Sequence, residues 1–284
     1  MAGKFTLSGF SDEIDEMIPV QFEHLNKLGI RYFEPRGING KNISMLTDPE
    51  VEALKSEMDR YGISVSSIGS PVGKILITDD FEPHMEVLKR TIRTAKLLGT
   101  KYIRMFSFYI PDGKYAEYRD EVMRRMKAMT ALAEQEGVTL LHENEKGIYG
   151  DVAPRCLEIL KEVDSPHLRA VFDPANFIQC GQPTFPEAYE LLKDYVVYMH
   201  IKDALADGTV VPAGYGLGRV EDILRALSVR GYHGFLSLEP HLGTFKGLEF
   251  LEIKSSIGEA KEQSTAETFD VAYRALMELL GKVE

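Results

Sequence analysis

The sequence predicts a (β/α)8 barrel of the α/β class, which we expect to form a single domain over residues 1–284. Short apolar segments of strand character alternate eight times with segments of helical periodicity, and this is typical of parallel βαβ units. The chain length fits, because a closed barrel of this kind takes about 250 residues plus insertions. An open doubly wound sheet would usually show a glycine-rich turn after its first strand, but Ser11-Asp12-Glu13 place two acids there.

The first units are recognised by strand runs and helix caps. Phe5–Phe10 is a short apolar strand, and the helix Ile14–Leu28 ends at a glycine suited to the left-handed position after a helix. Ile30–Phe33 is the second strand. Pro49–Tyr61 is the second helix, with Asp48 as its N-cap and proline at its first position.

The middle units follow the same pattern. Gly62–Ile68 is a β-branched strand, and Lys101–Phe106 is the fourth strand. Apolar residues at helical spacing predict helices at Glu82–Leu98 and Tyr115–Glu136. A glycine then leads into the fifth strand, Val138–Leu141.

The last units complete the count. The strands are Leu168–Asp173, Tyr195–Ile201 and Phe235–Leu238, and the helices are Asp151–Val163, Phe185–Lys193 (capped by Thr184), Val220–Val229 and, after an excursion at Gly243–Gln263, Thr265–Leu280. The glycine-rich segment Pro212–Gly218 lacks the Lys-Ser/Thr of a phosphate-binding loop, so we interpret it as a loop on the barrel rim.

Composition narrows the class of protein. The formal net charge of −11 argues against a nucleic acid as the main partner, because that affinity comes from clustered lysine and arginine. Cys156 and Cys180 are too few for a disulfide scaffold. The N-terminal segment has no signal-peptide core, and no apolar run has the length of a membrane span. We therefore expect a cytoplasmic protein without a membrane partner; a homo-oligomer is compatible with the sequence.

Four successive strands near the end of the chain finish in side chains able to bind a metal: Glu143, Asp173, His200 and Glu239. The C-terminal ends of barrel strands meet on one rim, where active sites of this fold are built. Three carboxylates and one imidazole favour one divalent ion, Mn²⁺ first, with Mg²⁺, Co²⁺ or Zn²⁺ as alternatives.

The same four residues suggest a chemistry. A six-coordinate ion would keep two positions for adjacent oxygens of a substrate, and it would stabilise the enediolate formed when the neighbouring C–H loses its proton. A carboxylate must take that proton. Glu143 and Glu239 are the candidate catalytic residues, and the sequence leaves open which acts on which face.

Polar residues around these strand ends are candidates for substrate binding. They are Lys202, His142, Glu145, Asn176, Arg104, Ser70 and Lys74. Each could instead form a surface salt bridge or a cap. Asp203 could orient a metal ligand, whereas His84, His167 and His233 are predicted to be ordinary surface residues, and His241 is left open.

The segments LLHENE, VFDPAN, YMHIKD and FLSLEPHL together resemble the sugar phosphate isomerase/epimerase superfamily, the xylose isomerase-like TIM barrels. The resemblance covers essentially the whole chain. It implies one metal held by Glu143, Asp173, His200 and Glu239. In the ketose 3-epimerase branch, it also implies an acid/base pair at Glu143 and Glu239.

The chain departs from two branches of the superfamily. Ketose epimerases carry a histidine where this chain has Asn176, and an arginine that has no evident counterpart here. The endonuclease IV branch requires extra histidines for three metals, and Ala204–Gly218 contains none. An abasic-site endonuclease is therefore disfavoured.

Three functions follow from these observations. The first is a divalent-metal-dependent isomerase or epimerase of a sugar or polyol derivative. The second is a metal-dependent lyase similar to inosose or dehydroshikimate dehydratase, because elimination begins with the same proton abstraction. The third is a non-catalytic sugar-binding barrel, which is disfavoured because all four ligand candidates are retained.

Overall fold

The computed structural model describes residues 5–243 and 263–283, and its centre is a ring of eight short strands. The strands are β1 (Thr6–Gly9), β2 (Tyr32–Phe33), β3 (Ser64–Val65), β4 (Tyr102–Met105), β5 (Thr139–Glu143), β6 (Leu168–Phe172), β7 (Val196–Ile201) and β8 (Phe235–Leu238). Short hairpins at Gly37–Ile38 with Lys41–Asn42, and at Asp203–Ala204 with Val210–Val211, lie outside the ring.

Backbone hydrogen bonds close the ring. β4, β5, β6, β7, β8 and β1 form one parallel sheet in that order, and β2 pairs in parallel with β3. The N–H of Glu34 donates to the carbonyl of Gly9 at 2.9 Å, which joins β2 to β1. The N–H of Arg104 donates to the carbonyl of Ile68 at 2.9 Å, which joins the segment after β3 to β4. The predicted barrel fold is confirmed.

Helices surround the ring. They are α1 (Ile18–Lys27), α2 (Asp48–Tyr61), α3 (Phe81–Leu98), α4 (Tyr115–Glu136), α5 (Ala153–Val163), α6 (Pro174–Gln179), α7 (Tyr189–Leu192), α8 (Val220–Val229) and α9 (Ala266–Val283). Single helical turns occur at Ser11–Glu13, Ile43–Met45 and Thr184–Ala188.

Local sequence explains where most helices end. Gly99 and Gly137 adopt the left-handed conformation that stops α3 and α4, at φ of 79° and 70°. Thr47, not Asp48 as predicted, is the N-cap of α2, and it forms a capping box with Glu50. Thr47 satisfies exposed backbone groups at the start of a helix, and the two glycines permit the turn that ends one.

Several predicted boundaries are wrong. The first helix starts at Ile18 rather than Ile14, because Ser11–Glu13 forms its own turn. The predicted helix Phe185–Lys193 does not include its first residue, since Phe185 is extended at φ −133° and ψ 131°. The residue before a proline is pushed out of the helical region, which accounts for this difference. Most of the excursion Gly243–Gln263 lies outside the described residues.

The main apolar core lies between the ring and the helices, as expected for this layered architecture. Leu141, Val171 and Tyr198 form a smaller cluster inside the ring. His84, predicted at the surface, belongs to the buried face of α3 and is 7% exposed. Within the described residues, none of the helices combines the length and apolarity that crossing a bilayer requires. The single-domain extent of 1–284 stays a prediction.

Candidate metal and catalytic site

The four predicted ligand residues converge at the C-terminal ends of β5 to β8. One ligand atom from each lies within 4.8 Å of the others, and all four side chains are buried. The Nδ1 atom of His200 lies 3.1 Å from Oε1 of Glu143, 3.4 Å from Oε2 of Glu239 and 3.7 Å from Oδ2 of Asp173. Side chains from four strands thus face one point, although they are far apart in the sequence.

Strand periodicity explains which side chains enter the ring. Side chains alternate between the faces of a strand, so Glu143 shares the inward face of β5 with Leu141, which packs inside the ring. Asp173 directly follows β6 and caps α6, where its Oδ1 accepts from the N–H of Asn176 at 2.9 Å. A strand end therefore fixes Glu143, whereas a strand end and a helix start together fix Asp173.

Three cationic side chains enclose the cluster. Arg104 Nη1 lies 3.3 Å from Oε2 of Glu143 and 3.7 Å from Oε1 of Glu239. Lys202 Nζ lies 2.8 Å from Oε2 of Glu239 and 3.0 Å from Oδ2 of Asp173. Arg36 Nη1 donates to Oε1 of Glu239 at 3.1 Å. These cations compensate part of the negative charge that burial would otherwise make unfavourable.

The donor set suits a divalent ion. Oε2 of Glu143 and Oδ2 of Asp173 are buried, and apart from their ion pairs with Arg104 and Lys202 they accept no hydrogen bond from the described residues. Buried carboxylate oxygens are usually hydrogen-bonded or bound to metal. Three carboxylates and an imidazole nitrogen at this spacing could therefore bind a metal.

The cations decide the protonation of the two glutamates. Burial raises the pKa of Glu143, but His200 and Arg104 outweigh burial and lower it to about 2. Burial likewise raises the pKa of Glu239, but the charged Lys202, together with the imidazoles of His241 and His200, outweighs burial and holds that pKa well below the ordinary value. Both groups are therefore carboxylates at neutral pH and can accept a proton.

Asp173 and Lys202 behave differently. Burial raises the pKa of Asp173, and the nearby Lys202 only partly counteracts it. Burial lowers the pKa of Lys202, but Asp173 and Glu239 outweigh burial and raise it above the ordinary value. Lys202 therefore stays charged in contact with two ligand candidates, as a donor in the centre of the site.

Three other predicted residues lie next to the cluster or over it. The Asn176 side chain donates to Oε1 of Glu143 at 3.1 Å. Lys74 Nζ lies 3.0 Å from Oε2 of Glu145 and 4.3 Å from the centre of the Phe106 ring. Asn176 thus orients a ligand candidate, while Lys74 and Glu145 form an ion pair between two rim loops.

His142 and Ser70 do not join the cluster. His142 lies on the other face of β5 from Glu143, with Nε2 2.9 Å from Oγ of Ser107. A Cβ atom at Gly150 would lie 2.4 Å from the His142 ring. Ser70 Oγ donates to the carbonyl of Arg104. Both side chains support backbone around the site.

A group of polar residues at the ends of β1 and β2, which was not predicted from the sequence, also lies beside the cluster. Arg36 donates to both carboxylate oxygens of Asp12, at 2.9 and 3.0 Å, and to Oε1 of Glu13 at 3.2 Å. The N–H of His241 donates to Oε2 of Glu13 at 2.7 Å. Burial raises the pKa of Glu13 to about 8, although Arg36 opposes it. The sequence does contain a signal for this group, because Asp12, Glu13 and Arg36 each follow a short apolar strand.

Asp203 has a clear structural partner in the glycine-rich loop. Its carboxylate accepts hydrogen bonds from the backbone N–H groups of Gly214, Gly216 and Gly218 at 2.7–3.1 Å, and from its neighbour Ala204. A Cβ at Gly216 would lie 2.3 Å from that carboxylate. The loop Pro212–Gly218 is therefore wrapped around Asp203, which explains its glycine content.

A closed parallel barrel with carboxylates and an imidazole at the C-terminal rim defines a TIM-barrel protein of the type that carries its active site on that rim. The sequence matches the xylose isomerase-like TIM barrel family over residues 22–263. The chain belongs to that family, and the predicted family resemblance is confirmed.

Individual relatives are distant. A 3-dehydroshikimate dehydratase of Bacillus anthracis is 24% identical over 189 residues, which cover 65% of this chain and 65% of that protein. The crystal structure of a D-tagatose 3-epimerase-like protein has a TM-score of 0.73 at 19% identity and covers 98% of both chains. The crystal structure of the IOLI protein with a bound zinc atom has a TM-score of 0.74 at 19% identity and covers 99% of both chains.

Proposed function

We propose that the protein is a divalent-metal-dependent isomerase or epimerase of a sugar or polyol derivative. The observation that carries the proposal is that Glu143 and Glu239 approach the same two nitrogens, His200 Nδ1 and Arg104 Nη1. Two ionised carboxylates so close together could serve the two faces of one small substrate. One would remove a proton from the carbon next to a carbonyl and the other would return it.

Glu143, Asp173, His200 and Glu239 would hold one ion, with Mn²⁺ favoured by their oxygen-rich donor set. Such an ion would stabilise the negative charge that develops on substrate oxygens. The zinc atom bound in the IOLI structure, which shares the fold, supports metal binding by a barrel of this kind.

The chain's own cations would assist the proton transfer. Lys202 Nζ, held between Glu239 and Asp173, is placed to donate to a substrate oxygen. Arg104 is fixed between the rings of Phe10 and Phe106, at 5.0 and 5.1 Å from their centres, so its position would change little during the reaction.

Burial supports the role of the glutamates as bases. Glu143 and Glu239 are 1% and 2% exposed. A substrate that displaces the remaining water would weaken the solvation of both carboxylates and raise their basicity. Lys74 and Glu145, on two loops over the site, would contact the substrate and limit the entry of water. The substrate would be a small molecule, and substrate-binding roles for Asn176 and the remaining candidates stay predictions.

A dehydratase is the second candidate, and the Bacillus anthracis relative favours it. Elimination would start with the same abstraction beside a carbonyl and end with loss of a hydroxyl from the next carbon. Lys202 would then be placed to protonate the leaving hydroxyl.

Deuterium incorporation separates the two candidates. The protein is incubated with Mn²⁺ in D₂O and with a panel of ketoses and a keto-inositol. Solvent deuterium in an epimer or isomer supports the first candidate, whereas an enone absorbance supports the second. Glu158→Gln serves as the control, because Glu158 binds Tyr149 and Arg119 away from the site. If neither product forms with any of these substrates, the proposal is contradicted.

A further inference from the structure

A polar layer lies inside the barrel beneath the ligand cluster. Glu34, at the end of β2, is 1% exposed. Its Oε2 accepts hydrogen bonds from the hydroxyls of Tyr198 and Ser237, each at 2.8 Å. The Tyr198 hydroxyl also lies 2.8 Å from Oγ of Ser66. Branched apolar side chains usually fill this space in such barrels, so a buried carboxylate here requires an explanation.

Glu34 lies against the back of His200. Its Oε2 is 3.4 Å from Nε2 of the imidazole. Oε1 of Glu34 and Nε2 of His200 are both buried, and neither has a hydrogen-bond partner among the described residues. One atom is an acceptor and the other can carry a proton. A small rotation of the carboxylate would therefore pair two groups that are otherwise costly to bury.

The two nitrogens of His200 face opposite sides. Nδ1 faces the carboxylates of Glu143, Asp173 and Glu239, at 3.1–3.7 Å, whereas Nε2 faces Glu34. A neutral imidazole carries a proton on one nitrogen and a lone pair on the other. The partner of the first nitrogen decides which one is free to bind a metal.

We propose that Glu34 is a positioning residue that keeps the His200 proton on Nε2 and thereby presents the lone pair of Nδ1 to the metal. This role rests on the proposed metal-dependent function. Packing supports it, because the rings of Phe10 and Tyr198 meet the imidazole edge-on at 5.2 and 5.9 Å and resist a flip. Glu34 lies behind the ligand, so it acts through His200 rather than on a substrate.

Nitrogen NMR of the metal-loaded protein tests the assignment directly. Histidine is labelled with ¹⁵N, and spectra are taken with Zn²⁺ bound in wild type and in Glu34→Gln. We expect coordination through Nδ1 and a downfield proton on Nε2 in wild type. In Glu34→Gln that proton should move upfield, and the affinities for Zn²⁺ and Mn²⁺ measured by calorimetry should fall about 10- to 100-fold.

Two further variants separate positioning from general damage. Glu158→Gln removes another carboxylate that accepts from a tyrosine hydroxyl, at 2.7 Å from Tyr149, and it should leave the His200 resonances and metal affinities unchanged. Ser237→Ala keeps the Glu34 carboxylate but removes one of its donors. It should shift the Nε2 proton in a smaller step, and this provides the test if Glu34→Gln does not fold.

The outcomes distinguish the two proposals. Coordination through Nε2 would overturn the role of Glu34. The role of Glu34 would also be overturned if the His200 resonances and the metal affinities of the Glu34→Gln and Ser237→Ala proteins equal those of wild type. A wild-type protein that binds neither Zn²⁺ nor Mn²⁺ would instead overturn the metal-dependent function, and the positioning role would fall with it.

Discussion

The side-chain amide of Asn144 pairs with the peptide groups of Asp173 in both directions. Asn144 Oδ1 accepts from the N–H of Asp173 at 3.0 Å, and Asn144 Nδ2 donates to its carbonyl at 2.9 Å. The two residues follow β5 and β6, so this pair continues the ladder one step beyond the strands. It fixes the backbone of one ligand candidate relative to the strand of another.

We expect Asn144→Ala to destabilise the protein by about 1–3 kcal/mol, because buried backbone groups of Asp173 lose their partner. Urea unfolding measures the change, and calorimetry should show weaker Mn²⁺ binding as Asp173 becomes less fixed. Gln182→Ala, which removes an exposed amide that donates to the Pro183 carbonyl, is the control and should change stability by less than about 0.5 kcal/mol. Equal stability of both variants would show that the Asn144 pair contributes nothing.

Glu143→Gln and Glu239→Gln should each lose most turnover while still binding metal measurably. The amide keeps an oxygen ligand but cannot take a proton, and loss of a general base costs about 10²- to 10⁴-fold in rate. Turnover is measured on the substrate found in D₂O, and Mn²⁺ binding is measured by calorimetry. Near-normal rates in both variants would show that the base is neither of these two carboxylates.

Asp203→Asn should loosen the glycine-rich loop Pro212–Gly218. The amide offers one acceptor oxygen where the carboxylate offers two, and its NH₂ group would face backbone donors. We expect a loss of about 2–3 kcal/mol in unfolding free energy, since hydrogen bonds to a charged group are involved. Amide hydrogen exchange at Gly214 and Gly216 should accelerate, while the amides of β5 keep their protection. Unchanged exchange in the loop would contradict this account.

His84 should make the protein sensitive to mild acid. The N–H of Gly73 donates to its Nε2 at 2.6 Å, which a protonated ring could not accept. Burial and the nearby Arg125 lower the pKa of His84 to about 4, and Asp79 opposes this only weakly. The unfolded chain therefore binds the proton first as pH falls, so stability is complete above about pH 6.5 and is lost towards pH 4.

The matched variant for this effect is His84→Gln, whose carbonyl can accept from Gly73 but does not titrate. Between pH 7 and pH 4.5, wild type should lose about 2 kcal/mol more unfolding free energy than the variant. Urea unfolding at both pH values measures the difference. Parallel losses in the two proteins would assign the acid sensitivity to other groups.

The protein should not cleave DNA. A nuclease of this fold needs several ions and a basic groove, whereas the net charge is −11, and in residues 5–243 and 263–283 one cluster of metal-ligand candidates is present. We expect no incision of an abasic-site duplex with Mn²⁺ or Zn²⁺, and no salt-dependent duplex binding at micromolar protein. Robust incision that disappears in Asp173→Ala would move the protein to the repair branch.

The fold and the ligand cluster could be predicted because both follow from repeated local patterns. Each strand is a short apolar run, and the last four end in a residue that needs a polar environment. Arg104 could also be predicted, because alternation along β4 points it inward. These are properties of a few neighbouring residues, so they can be recognised without knowledge of tertiary contacts.

Other features depend on contacts between distant parts of the chain. Arg36 and Glu34 follow the two-residue strand β2, so their meeting with Glu239 and His200 could not be inferred from periodicity. The extended backbone of Phe185 is set by the proline that follows it, and helical periodicity does not reveal that constraint. His84 is buried although it is predicted at the surface, and it shares the buried stripe of Phe81 and Leu88, a signal that spacing alone provides.

Arg36 and Arg104 belong to the first half of the barrel, whereas Glu143 and Glu239 belong to the second. The ion pairs of these two arginines with Glu143 and Glu239 therefore form across the seams where β8 joins β1 and β4 joins β5. In a chain with an open seam, Lys202 would still face Asp173 and Glu239, but the carboxylates would lack the two arginines and would draw in water and mobile counter-ions. Completion of the ring and maturation of the site are thus a single event, and a half-assembled chain cannot hold a competent centre.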